Sequence, residues 1–395
     1  MAIKPKQKQI IRSSPYNPKE ANTDKLLILK GFMAEYPNLV NKAIELLCPS
    51  GFLPAEIPKL IGKEITDKIG SSSARLNQVI AKQASACIRA QTEKIKKLEW
   101  QVVNGIHLKK YQRELLDKPT IPVFDGNIEL DSRFVSIEQP KNATKFEYWL
   151  KIQIPNITKI EIPINLTNHQ INLLKRGFNL KTTAIRLRQN GQFDLIFTKP
   201  DYSTKKTKAE IEQEDFKVLG IDIGRNKCVT TSDGQMETTH QTGHLLHEIL
   251  AKISRQKRGS KNNKQTRVEL LNQINYSCKN DIPWQEIDAI AIENIKNMKY
   301  GQTQNVASAA WRYPEIRAKL AMIAQEHDVR VLAVNPAYTS QECPACNHVN
   351  SKNRSNEEFC CLGCGYENDA DIVGAINIRK RGKYSSSLVK NKNLL

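Results

Sequence analysis

A chain of 395 residues, 39% hydrophobic and 6% aromatic, has room for two or three domains and can bury a core without being rich in one. Its 60 Lys+Arg against 41 Asp+Glu leave a formal net charge of +19, which points to a polyanionic partner, nucleic acid before anionic membrane. No apolar run approaches the ~20 residues of a membrane helix, and the basic start MAIKPKQKQIIRSSPYNPKE lacks the apolar stretch of a secretory signal. Nine cysteines, five of them crowded between Cys343 and Cys364, speak against a disulfide scaffold and for a metal site in a reducing, cytoplasmic setting.

Residues 1–20 are basic and broken by Pro5, Pro15 and Pro18, with QKQIIRSS able to pair as one strand. From Asp24 to Trp100 apolar residues recur at helical spacing. Pro37 is expected to split the first stretch into two helices, and residues 74–100 read as one long helix whose charged face carries Arg75, Lys82, Arg89, Lys94, Lys96 and Lys97. That face is either plainly solvated or turned to nucleic acid. Between 120 and 200 come β-prone runs (IPVF, IELDSRFVSIEQ, KFEYWLKIQI, KIEIPI, AIRLRQ, QFDLIFT), with Asn190-Gly191 as a hairpin signal. They predict a small antiparallel barrel or sheet. Residues 201–217 read as a charged linker.

From Phe216 the pattern turns α/β: a buried strand FKVLGIDIG, a second strand, a helical stretch over 244–275, the buried strand IDAIAIENI, a helix from Val306 to His327 and the strand VRVLAV. Asp222 and Glu293 each end an apolar strand, where an unpaired charge is expensive unless it binds a cation. Asp371 opens an apolar helix, NDADIVGAINI. Singly, Asp371 reads as a helix cap and Asp222 as a turn residue. Together, three acids on two strands and a helix can hold two Mg²⁺ ions about 3.5–4 Å apart for phosphodiester hydrolysis.

The pairs Cys343-Pro-Ala-Cys346 and Cys361-Leu-Gly-Cys364, 14 residues apart, have the spacing of a tetrahedral Zn²⁺ site. Four thiolates leave no open position, so the zinc is structural. The register favours Cys361 over Cys360, and His348 reads as a loop residue. The ribbon would brace Asp371. Lys252, Arg255, Lys257, Arg258, Lys261, Lys264 and Arg267 form a run without one acid, read as a basic helix contacting phosphates. Arg312 and Arg317 are weaker candidates to guide a single strand.

VLGIDIGRNKCVTTSDG, SRQKRGSKNNK, AIAIENIKNM and VNPAYTSQECPAC…CLGCGYENDADIVGAINI, in this order over residues 183–382, closely resemble the TnpB family, transposon-encoded RNA-guided DNA endonucleases related to compact type V CRISPR effectors. The resemblance implies a multidomain α+β chain. An N-terminal β-barrel wedge domain interrupted by a helical recognition domain would precede a RuvC, RNase H-like α/β nuclease with an inserted zinc ribbon. It implies Asp222, Glu293 and Asp371 as catalytic Mg²⁺ ligands and Cys343, Cys346, Cys361 and Cys364 as zinc ligands. Guide RNA and double-stranded target DNA would be the partners, with a short flanking motif read by protein and sequence read by pairing.

The expected boundaries are 1–20 and 105–215 for the wedge, 21–104 for the recognition domain, 216–342 and 367–382 for the nuclease, 343–366 for the ribbon and 383–395 for a tail. Two departures stand out: the opening lacks the family's Arg-Tyr-Pro stretch, and Val373-Gly374 replaces Asn-Ala after Asp371. Localisation is expected to be cytoplasmic and prokaryotic, at the nucleoid, with no membrane. The rival readings are a guide-dependent DNA-binding repressor and a transposase or resolvase on the same fold. Bound RNA and a cleavage assay separate the three.

Overall fold

The computed structural model describes residues 9–54, 62–142, 145–157, 159–201, 216–224, 226–240, 242–295 and 313–384. Residues 11–199 form one compact unit, and the chain from Pro200 contributes to a second.

In the first unit β1 (Gln9–Tyr16) leads into α1 (Thr23–Leu47), α2 (Lys63–Ile69), α3 (Ala74–Val103) and α4 (Lys110–Asp117). Contrary to expectation, α1 runs unbroken through Pro37. Proline removes one helix hydrogen bond, but Leu29, Tyr36, Val40 and Ile44 bury a continuous face on both sides of it, and Tyr36 donates to Gln83 on α3 at 3.0 Å. Tertiary burial outweighs the local penalty. The basic residues predicted on α3 are all exposed, while Leu76, Ile80, Ala84, Ile88, Ile95 and Leu98 form its buried stripe.

The β-prone runs become β2 (Ile128–Leu130), β3 (Val135–Glu138), β4 (Tyr148–Ile152), β5 (Ile160–Ile164), β6 (Asn179–Leu187) and β7 (Phe193–Pro200), with α5 (Asn168–Lys175) before β6. Asn190-Gly191 does turn the β6–β7 hairpin, with Gly191 at φ +81°. The expected barrel is not closed. Two separate antiparallel sheets stand in its place, ordered β1-β7-β6-β2 and β3-β4-β5. The Asp131 carboxylate accepts from the Arg133 backbone and guanidinium (3.1 and 2.7 Å), turning the chain between β2 and β3 and sending them into different sheets.

The second unit is built on β8 (Val218–Asp222), β9 (Thr230–Thr231), β10 (Ala289–Glu293) and β11 (Arg330–Val334), ordered β11-β10-β8-β9. β8, β10 and β11 run parallel, and β9 pairs antiparallel to β8. Strand alternation divides the apolar residues between two faces. Leu219, Ile221, Ile290 and Ile292 pack with α6 (Leu246–Ser254), α7 (Lys261–Asn280) and α8 (Tyr313–Glu326). Val218, Ala289, Ala291, Leu332 and Val334 pack with Ile378 of α9 (Ala370–Tyr384). Helix α9 lies so close that a Cβ on Gly220 would fall 2.0 Å from the Ala375 carbonyl oxygen. Between β11 and α9 a small antiparallel sheet orders β12 (Arg354–Ser355), β13 (Glu358–Cys360) and β14 (Glu367–Asp369).

Candidate metal and nucleic-acid site

Three facts of the fold bring the acids together. Asp222 and Glu293 end β8 and β10 with the parity of Val218, Gly220, Ala289 and Ala291, so both point to the face covered by α9. The parallel register Ala291↔Gly220 and Ile292↔Ile221 sets their strand ends side by side. Helix α9 begins on that face, with Asp371 in its first turn and only 7% exposed. Asp222 and Asp371 line one cavity of about 760 Å³ with Gly224, Asn226, Gln341, Arg354 and Glu357. Burial, together with the negative charges of Glu293 and Asp371, pushes the Asp222 carboxyl up to about 7. Burial also raises Glu293. A divalent cation relieves this mutual repulsion, and an all-oxygen donor set suits Mg²⁺.

Each acid is held by neighbours. The Thr339 hydroxyl meets Glu293 Oε1 and also lies 2.9 Å from the Pro336 carbonyl. Having one hydrogen, it donates to Glu293 when that group is ionised and can accept from it when protonated. Asn377 of α9 donates to the Thr339 and Glu342 carbonyls at 2.8 and 2.7 Å, pinning the loop that carries Thr339. The cap of α9 is Asp369, whose Oδ1 accepts from the Asp371 and Ile372 amides at 2.8 and 3.2 Å. Asp371 is therefore not the cap. Its carboxylate is free of that duty and is instead met by cations: Arg354 Nη2 at 2.9 Å from Oδ1 and Lys227 Nζ at 3.6 Å from Oδ2.

The Sγ atoms of Cys343, Cys346, Cys361 and Cys364 all lie within 4.8 Å of one another. The two CxxC turns repeat one geometry. Asn347 and Gly365, just after each pair, take left-handed φ of +62° and +73°. Their amides donate to the Cys343 and Cys361 carbonyls at 2.9 and 2.8 Å. The Gly363 amide donates to Cys361 Sγ at 3.3 Å, which favours a thiolate. Cys360 faces Glu367 instead, and His348 packs on Gly363 outside the cluster. Four convergent sulfurs of this kind can hold Zn²⁺. Arg354 reaches Asp371 from β12 of this ribbon.

The basic run is not the single helix expected. α6 ends at Ser254, Gly259 takes φ +82°, and Ser260 caps α7 by accepting from the Asn263 amide. The glycine and the serine cap break the helix. Arg255, Lys257, Arg258, Lys261 and Lys264 are exposed around this turn. Lys252 is tied to Glu269 at 3.0 Å and Arg267 to Asn263 at 3.1 Å. Arg317 sits on α8, 3.5 Å from Asn294 beside Glu293. Arg312 and the start of the helix expected from Val306 lie outside the described residues.

Lys227, Arg354, Thr339 and Asp369 do not stand out from the sequence alone. Lys227 pairs across 142 residues and gives no local signal. Asp369 could have been found, since Asn368-Asp369 directly precedes the helix.

Residues 313–378 match the family described as Cas12f1-like, TNB domain, a span that holds the four cysteines, Arg354 and Asp371. The Cas12f1 endodeoxyribonuclease of Syntrophomonas palmitatica is 30% identical over 109 residues, 27% of this chain and 22% of its own length. InsQ of Escherichia coli K12, provisionally named an RNA-guided DNA endonuclease, is 29% identical over 199 residues, 42% of this chain and 49% of its own. The matches thus span half or less of these relatives. A solved Cas12f1–sgRNA–target DNA complex aligns with 94% of this chain and 99% of its own, at a TM-score of 0.43 and 12% identity. Among the described residues, no helix is long and apolar enough to cross a membrane.

Proposed function

We propose, for a chain homologous in part to Cas12f1 and to the TnpB-like InsQ, that it is an RNA-guided DNA endonuclease cutting at one RuvC-type site. One observation carries the reading: Asp222, Glu293 and Asp371 converge from β8, β10 and α9 on one face of the sheet. These three would hold two Mg²⁺ ions, which when bound supply an activated water and stabilise the leaving oxygen of a phosphodiester. The chain's own part is positional. Thr339 orients Glu293, the Asp369 cap fixes the start of α9 under Asp371, and Arg354, on the cavity wall, is placed to meet a phosphate. Cys343, Cys346, Cys361 and Cys364 would hold a structural Zn²⁺ that keeps Arg354 in place.

Guide RNA would lie on the basic α3 and the β sheets of the first unit, and phosphates of the heteroduplex on Arg255, Lys257, Arg258, Lys261 and Lys264. The work would be cytoplasmic, at the nucleoid. The domain boundaries expected from the sequence belong to the same reading.

The test is to purify the chain from cells carrying its native locus, sequence the bound RNA, and challenge a randomised-flank plasmid library with Mg²⁺ beside Asp222→Ala. Guide-matched cutting that the variant loses by about a thousandfold or more supports the proposal. Discrete RNA without cutting turns it into a guided repressor. Absence of any specific RNA sinks the guided reading in favour of a transposase or resolvase.

A further inference from the structure

Lys227 stands between the two halves of the acidic site without lining its cavity. It follows β8 by five residues, and its Nζ lies 2.8 Å from Asp369 Oδ2, 3.6 Å from Asp371 Oδ2 and 3.9 Å from Glu357 Oε2. Its side chain is 17% exposed, and those of Asp369 and Asp371 are 21% and 10%, so these contacts are sheltered from the screening that empties surface pairs. Asp369 spends its other oxygen on the first amides of α9. The chain of contacts therefore runs from the strand that carries Asp222, through Lys227 and Asp369, to the helix that carries Asp371. The two oxygens of Asp371 are treated differently: Oδ1 faces Arg354, which lines the cavity, and Oδ2 faces Lys227, which does not.

We infer that Lys227 is a positioning residue and resident counter-cation for Asp371, holding Oδ2 from behind so that Oδ1 is the oxygen presented to a divalent cation. This rests on the acidic site being a metal site. Two consequences oppose each other, which makes the idea testable. An ammonium beside a ligand carboxylate repels an incoming dication and competes for its charge, so losing Lys227 tightens metal binding, by about fivefold or more on Coulombic grounds. Losing it also unties Asp371 from the strand of Asp222, so turnover at saturating metal falls by about tenfold.

The experiment is a titration of the full chain with Mn²⁺, followed by water-proton relaxation, for wild type, Lys227→Met, Lys227→Arg and Asp222→Ala, with thermal unfolding run alongside. The expected result is Asp222-dependent Mn²⁺ binding that is tighter in K227M and restored in K227R. Cleavage by the guide complex should show lower half-saturating Mg²⁺ and lower kcat in K227M together. A K227M protein that folds and binds Mn²⁺ as wild type does, or more weakly, overturns the inference while leaving the metal site standing. Wild-type binding indifferent to Asp222→Ala overturns the metal site and the inference with it. Should K227M not fold, Lys227→Gln serves with the same expectations.

Discussion

Asp222 is a carboxyl that prefers its proton. Burial and the charges of Glu293 and Asp371 lift it to about 7, against about 3.9 in an unfolded chain. Between those values the folded state binds a proton that the unfolded state does not, so stability falls as pH rises through the window and levels off above it. The metal-free protein should have a higher Tm at pH 5 than at pH 8, a difference worth about 4 kcal/mol at most from this group. Mg²⁺ should raise the Tm at pH 8 far more than at pH 5, because only the ionised site accepts it. A flat Tm–pH profile, or a Mg²⁺ shift independent of pH, would refute this. The Asp222→Asn protein should lose both effects. Gly374 presses on the same carboxylate: a Cβ there would sit 3.3 Å from Asp222 Oδ2. The departure from Asn-Ala to Val373-Gly374 thus leaves room beside Asp222, while Val373 is buried against Cys343, Phe359, Cys361 and Ala370.

At the scale of elements, the contact of α9 with β8 admits no side chain at Gly220. Gly220→Ala would force the helix off the sheet and cost about 3 kcal/mol or more, since backbone and not a flexible tip receives the clash. Its urea midpoint should drop accordingly, and Asp371 should lose its place opposite Asp222. How far such elements are legible in the sequence depends on where their information lies. The strands around Asp222 and Glu293 carry unbroken apolar runs, and the pairs of cysteines carry their own spacing, so both can be read locally. Pro37 misleads because the burial that holds α1 together comes from α3 and Phe124, far along the chain. The barrel misleads because strand content does not say which edges meet. That depends on the Asp131–Arg133 turn. Lys227 and Arg354 are invisible because an ion pair is a property of two distant segments, not of either one.

For the whole molecule, the ribbon matters because Arg354 and the Glu357 carbonyl, which accepts from the Ala370 amide at 2.8 Å, both belong to it and both touch the start of α9. Stripping zinc with a chelator, or Cys361→Ser, should lower activity by about a hundredfold while β8, β10 and β11 keep their amide protection, a separation that hydrogen exchange can read. On the opposite side of the nuclease sheet, replacing Lys257, Arg258, Lys261 and Lys264 by Gln should weaken nucleic-acid binding across all sequences. It should also reduce the slope of log K against log salt by about one for every phosphate that is no longer neutralised, with the Asp222-dependent chemistry intact. The alternation of β8 and β10 sets a different kind of limit. Because Asp222 and Glu293 share the parity of Val218 and Ala289, deleting one residue inside either strand turns its acid toward Leu250, Ile274 and Leu320 and its apolar neighbours toward the metal face. Length changes in these strands are therefore forbidden where they are cheap in the surface turns, and a single-codon deletion scan should return two narrow deserts of about five codons each in an otherwise forgiving unit.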